Sequence, residues 1–190
     1  MEEKIQMRRQ HFHLLLLLLC ALLAGCGAIA QQTPGSLTVR TATVAANGAV
    51  ALLELGLDCH LSGPMQDALD HGIPITLRID VRAGRWPRTL ASATQRIEMR
   101  YFPLSRRYQL RETEPDDVRS FATPAYLIAA LGSLRLGLPG AFATLPATTP
   151  LLVSVAIDPA ALPGALRLPA LFEPAWRLTA KDYAWTVAAR

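Results

Sequence analysis

The sequence predicts a mainly β, α+β fold: an antiparallel sheet or sandwich meander with one or two packed helices. Three observations carry that expectation. Short runs alternate apolar and polar side chains, as strands with one buried face do. Turn-forming residues separate the runs at close intervals, so neighbouring strands are joined by short links. No strand–helix–strand unit recurs, which argues against a parallel sheet.

Residues 26–36 read as a linker, polar from 31 onward and containing Pro34 and Gly35, and residues 37–190 as one domain. Runs 37–44 and 50–57 flank Asn47-Gly48, a hairpin dipeptide because both residues tolerate positive φ. In the second run Leu53, Leu55 and Leu57 share one face and Glu54 takes the other. A short helix is expected from Pro64, capped by Ser62 or Gly63, with Met65, Ala68 and Leu69 on one side and Gly72 ending it.

Residues 73–82 form the clearest strand, with Ile75, Leu77, Ile79 and Val81 opposite Thr76, Arg78, Asp80 and Arg82. Residues 85–89 read as a loop around Trp86 and Pro87, with Trp86 a candidate exposed contact. Residues 93–102 alternate again, 103–106 make a tight connection, and 107–112 continue the meander with Tyr108 and Leu110 inward. Residues 112–117 read as an acidic turn. Thr123-Pro124 then caps and starts a helix to about residue 134, apolar on most sides and so expected to be packed.

Residues 137–150, rich in proline, glycine and threonine, read as a loop, and 151–158 as a strand with Leu151, Val153, Val155 and Ile157 inward. Residues 159–169 hold a turn or short helix. A final strand pair is expected over 176–187, with Trp176 and Trp185 in the core. Its apolar phase shifts between Ala180 and Tyr183, which calls for a bulge near Lys181-Asp182.

The amino end has a different character. Lys4, Arg8 and Arg9 precede an unbroken apolar run at 14–24, LLLLLLCALLA, followed by small residues. A bilayer-spanning helix needs about 20 apolar residues, so this run is too short to span and reads as a secretory signal peptide. Leu23-Ala24-Gly25-Cys26 resembles a bacterial lipobox, which would make residues 1–25 the leader and Cys26 the lipidated first residue. Ala28-Ile29-Ala30 offers an ordinary cleavage site after residue 30 as the alternative, and we favour the lipobox. Either choice directs the chain to the periplasm or cell envelope: anchored by acyl chains in the first case, soluble or secreted in the second. Cys20 leaves with the leader, so Cys59 is the one cysteine inside the domain and an intradomain disulfide is excluded by counting.

The 190 residues carry a net charge of +4, and cleavage removes Lys4, Arg8 and Arg9 against Glu2 and Glu3, leaving +3. That excess is too small and too dispersed to imply nucleic acid. Asp58-Cys59-His60 contains a nucleophile beside a base, the one constellation that would make the chain an enzyme. Adjacent strand residues point to opposite faces, however, and no orienting group or oxyanion donor is marked. Adding His71 gives no standard zinc spacing, and no phosphate loop or other cofactor motif is present, so neither metal nor cofactor is expected.

A surface feature is more informative. Arg78 and Arg82, Arg96 and Arg100, and Arg107 and Arg111 occupy the polar phases of three consecutive predicted strands. In a meander all six would share one face, with Asp80 and Glu98 among them. The planar guanidinium fork suits phosphate and carboxylate, so an anionic lipid, a glycolipid or an acidic envelope protein is the expected partner. The alternative is a solvated face laced with cross-strand ion pairs.

Several stretches resemble an uncharacterised proteobacterial family of exported proteins, a domain of unknown function (DUF 4390). They are ALDHGIPITLRIDV at 68–81, RIEMRYFPLSRRYQLRE at 96–112, FATPAYLIAALGSL at 121–134 and VSVAIDPAALPGALRLPAL at 153–171, joined by Trp176-Arg177-Leu178 and Trp185. The resemblance implies an exported protein with no established catalytic residues. Because genes of the family often stand near a two-component sensor kinase, it also implies a link to envelope signalling. The expected role is therefore a non-enzymatic binding or accessory protein. An enzyme using Cys59 and His60, or a structural lipoprotein without ligand, are the other readings.

Overall fold

Nine strands among the described residues build two antiparallel sheets, in a computed structural model that describes residues 33–47, 50–85, 87–112 and 117–186. The leader, both cleavage sites, Cys26, Gly48 and Trp86 lie outside those residues. In the first sheet β1 (Ser36–Asn47) pairs with β2 (Val50–His60), Ser36 opposite His60 at one end and Asn47 opposite Val50 at the other. The two runs thus pair as the expected hairpin strands, with Asn47 the last paired residue of β1. β7 (Leu134–Leu138) adds to the far side of β2, giving the order β1-β2-β7.

The second sheet has the order β6 (Asp117–Phe121), β5 (Arg107–Glu112), β4 (Arg88–Phe102), β3 (Ile75–Arg85), β8 (Pro150–Ile157), β9 (Thr179–Thr186). Three helices accompany the sheets: α1 (Gly63–Asp70), α2 (Pro124–Ala130) and α3 (Gly164–Phe172). The inward residues of both sheets meet in one cluster. Leu53 and Leu55 of β2 belong to it with Ile75, Leu77, Ile79 and Val81 of β3 and with Ile97, Met99, Leu110 and Val153, all at most 1% exposed. Each such aliphatic side chain contributes about 1.5–3 kcal/mol when fully buried, which is what joins the sheets in the absence of a cross-link.

Helix α1 follows its sequence closely. Ser62 Oγ accepts from the Met65 amide, Pro64 stands in the first turn, and Gly72 takes φ +79° just past the end. Elsewhere the chain departs from the periodicity. The loop expected at 85–89 shrinks to a hairpin with Arg85 opposite Arg88. Glu112, read as part of an acidic turn, is the last residue of β5 and is buried, and Asp117 opens a strand that no alternation announced.

Helix α2 is shorter and less packed than expected. Thr123 caps it as anticipated, but after Ala130 the chain tightens into a 3-10 turn (Leu131–Ser133) and enters β7 at Leu134. Only Leu127 of α2 is buried, and Tyr126 is exposed. The loop expected at 137–150 loses its start to β7 and also holds a 3-10 turn, Gly140–Phe142. The final strand pair is a single strand, β9. Trp176 sits before it in a 3-10 turn (Pro174–Trp176) and is buried, and Trp185 is half-buried.

The bulge expected in β9 is present. Val155 pairs with Ala180 and Val153 with Tyr183, so Lys181 and Asp182 together face Ser154, and Asp182 takes φ +54°. A second bulge was not anticipated. Val39 pairs with Leu57 but Thr41 with Gly56, leaving Arg40 as the extra residue of β1. Helix α3 inverts the usual amphipathic arrangement. Its inward side carries Ala170, while Leu168, Leu171 and Phe172 stand 65%, 56% and 72% exposed.

Candidate functional site

The register of the second sheet places all six predicted arginines on its outer face. Inward Leu77 pairs with Ile97, so the next pair along, Arg78 opposite Arg96, points outward. Arg82 lies opposite Ser92 on the same face. Across to β5, Arg100 faces Gln109, Glu98 faces Arg111, and Phe102 faces Arg107. Sequence alternation and short links sufficed to bring these residues together.

Like charges directly opposite on neighbouring strands repel, and here each is tied to a different carboxylate. Arg78 Nε donates to Asp80 Oδ2 at 3.0 Å, and Arg96 Nε donates to Asp158 Oδ2 at 3.1 Å. Asp158 is a buried anchor. Its other oxygen accepts from the Ala160 amide at 3.1 Å, and its own amide donates to the Thr76 carbonyl at 2.8 Å. Arg107 holds Ser120 by two bonds of 3.1 Å, one to the hydroxyl and one to the carbonyl. Arg100 lies over the Phe102 ring, 5.1 Å from its centroid.

The face is thus partly self-neutralised yet retains an excess of cations. Arg82 and Arg100 have no carboxylate partner among the described residues: Arg82 lies opposite Ser92, and Arg100 opposite Gln109 and over the Phe102 ring. Arg78 uses only its Nε internally and keeps about half its side chain in solvent. Guanidinium groups in this state offer paired donors to phosphate or carboxylate oxygens.

The Cys59 and His60 side chains are not brought together. Cys59 is buried in the core and His60 is exposed, as neighbours in a strand must be. Burial pushes the thiol up to about 12, with the Asp58 carboxylate adding to the effect. The His60 ring instead lies on the outer side with Asp58, Nδ1 to Oδ1 3.7 Å. His71 is elsewhere, its Nδ1 2.6 Å from the Asp67 carbonyl. Among the described residues no three histidine, cysteine, aspartate or glutamate side chains gather as a metal set.

A family described as a domain of unknown function (DUF4390) matches residues 35–186. The chain belongs to this family. The DUF4390 match begins one residue before β1 and ends on the last residue of β9, so it coincides with the two sheets. Comparison with the curated proteins and with the solved structures gives no match. Among the described residues of this DUF4390 chain no helix is long and apolar enough to cross a membrane.

Two features escaped the sequence reading. Arg40, thrown outward by its bulge, binds Asp58 Oδ2 through Nε at 3.2 Å and Nη2 at 2.6 Å, and this hydrogen bond holds the Asp58 carboxyl below its ordinary range. The signal was present: Leu37 and Ala42 are both inward, and only one extra residue between them allows that. The second feature is a concavity of about 650 Å³ where β2, α1 and α2 meet. It depends on the path of α2 and β7, which periodicity misplaced.

Proposed function

We propose that this protein is a non-enzymatic component of the cell envelope that binds anionic lipid or glycolipid head groups through the arginine face of its larger sheet. The leader sends it out of the cytoplasm, and an acylated Cys26 holds it at a membrane, so the face meets its ligand at high local concentration. The observation that carries the reading is the surplus of cations on that face, with Arg82 and Arg100 lacking a carboxylate partner among the described residues. Near an anionic membrane surface each such side chain contributes about 1 kcal/mol. The gene neighbourhood that the family resemblance implies, beside a two-component sensor kinase, fits a protein that reports on head-group chemistry.

The test reverses the two arginines without disturbing the ion pairs. Arg82→Glu with Arg100→Glu is expected to weaken binding to phosphatidylglycerol vesicles at least about tenfold, and added salt should weaken the wild type similarly. Vesicle binding indifferent to both changes sinks the proposal and leaves an accessory lipoprotein without this ligand. The intact mass of the membrane-extracted protein fixes the mature first residue and any acyl chains on it. A mass ending the leader at Ala30 removes the anchor.

A further inference from the structure

The two edges of β2 are treated differently. On one side β1 pairs with it from Val50 to His60. On the other, β7 pairs only from Ala51 to Leu55, after which the partner chain turns off through Gly132 into the 3-10 turn and α2. From Leu57 to His60 that second edge has no strand partner among the described residues. An antiparallel strand presents main-chain N–H and C=O groups along each edge, and groups left without a partner form a template for another strand.

The 650 Å³ groove opens along this free edge. The far wall is α2, which contributes Ala125, Ile128 and Ala129, short apolar side chains of which both alanines are exposed. Leu61 and Leu69 supply an apolar floor. A strand edge facing a helix across an apolar gap is the geometry in which an extended peptide adds by main-chain bonds and seats alternate side chains. Four edge residues span about 13 Å, room for a segment of about four or five residues.

Charge around the groove narrows the occupant. Arg40 and Asp58 cancel one another through their hydrogen bonds. Asp70 has only a neutral partner among the described residues, the Tyr108 hydroxyl at 2.7 Å. Burial and this bond push the phenol up to about 12, so it remains the donor of the pair. With the His60 ring lying beside Asp58, Asp70 is the lining carboxylate that has no basic partner among the described residues.

We propose that the groove binds an extended peptide segment of a partner protein, added to the free edge of β2 as a strand, with an apolar residue on the Leu61–Leu69 floor and a lysine or arginine at Asp70. The site lies in the smaller sheet, away from the arginine face, so it does not depend on the reading given above.

Panning a random dodecapeptide phage library against the full chain tests it. Enrichment of sequences alternating apolar and polar residues with a basic position is expected. The strongest peptide, synthesised, should lose at least about tenfold affinity for Ala129→Arg, which fills the groove from an exposed position. Asp70→Lys should exchange the basic preference for an acidic one. N-methylation of alternate amides should abolish binding in one phase and spare it in the other. Ala125→Arg, one turn earlier on α2, provides an independent block should the first variant misfold. No enrichment, affinity indifferent to both blocks, or N-methylation without phase dependence overturns the proposal. So does self-association of the chain, or uptake of a detergent chain, that the blocks abolish.

Discussion

Cys59 and His60 adjoin in sequence and stand on opposite sides of a strand, one dry and one wet. Alternation alone made that separation legible, because inward Leu53, Leu55 and Leu57 set the phase for Cys59. With its ionisation pushed up to about 12, the thiol is ionised in about one molecule in ten thousand at pH 8. Native protein should therefore resist iodoacetamide at pH 8 over hours and take up one equivalent at Cys59 once unfolded, read by mass. Rapid native labelling there would favour the enzyme reading. Glu112 was legible as the end of a strand, but its burial was not, since the same carboxylate opens an acidic run. It is buried against Arg119, Nη2 to Oε1 2.9 Å. Burial raises its proton affinity above the ordinary value of 4.5, with Arg119 opposing. The sign follows: as pH climbs past 4.5 the unfolded chain releases this proton while the folded protein retains it, so stability falls across that window. Glu112→Gln escapes the loss. Urea titrations at pH 4 and 7 should show the variant gaining on wild type toward pH 7, and a constant difference contradicts the assignment.

At the scale of elements, phase was readable and partnership was not. The β9 bulge was legible because Ala180 and Tyr183 are both inward with two residues between them, which no regular strand permits. Deleting Lys181 should restore one-to-one pairing opposite Ser154 and keep both side chains inward. That variant is expected to melt cooperatively near the wild-type temperature. Deleting Ser154 turns half of β8 over and should abolish cooperative melting by circular dichroism. Had the bulge no such role, the two deletions would behave alike. By contrast, the chain from Pro124 to about 134 reads as one helix because Ala and Leu favour one locally. What ends α2 is the pairing of Leu134–Leu138 with β2, a distant contact that outweighs local preference. Short β7 and β6 lack the length for a clear alternation, and each exists because a neighbour offers an edge.

For the whole molecule, alternation yielded the class but not the order of strands. β3 pairs with β8, Leu77 opposite Ile157 and Ala83 opposite Leu151, and only the folded register reveals that β8 rather than β2 lies beside it. The arginine face survived this ignorance because β3, β4 and β5 are consecutive. The groove did not, because it lies between elements far apart in sequence. Leu53→Ala, at the centre of the smaller sheet, should cost about 2–5 kcal/mol in urea unfolding, with no disulfide among the described residues to soften the loss. A cost below about 1 kcal/mol would mean the sheets do not share one core.

Helix α3, which turns its oilier side outward, has a consequence for handling. Leu168, Leu171 and Phe172 concentrate greasiness in one spot of the exterior. Ammonium sulfate strengthens the association of such spots by being excluded from protein surfaces. The chain should therefore precipitate at low saturation and cling to phenyl resin, and exchanging the three residues for serine should delay both.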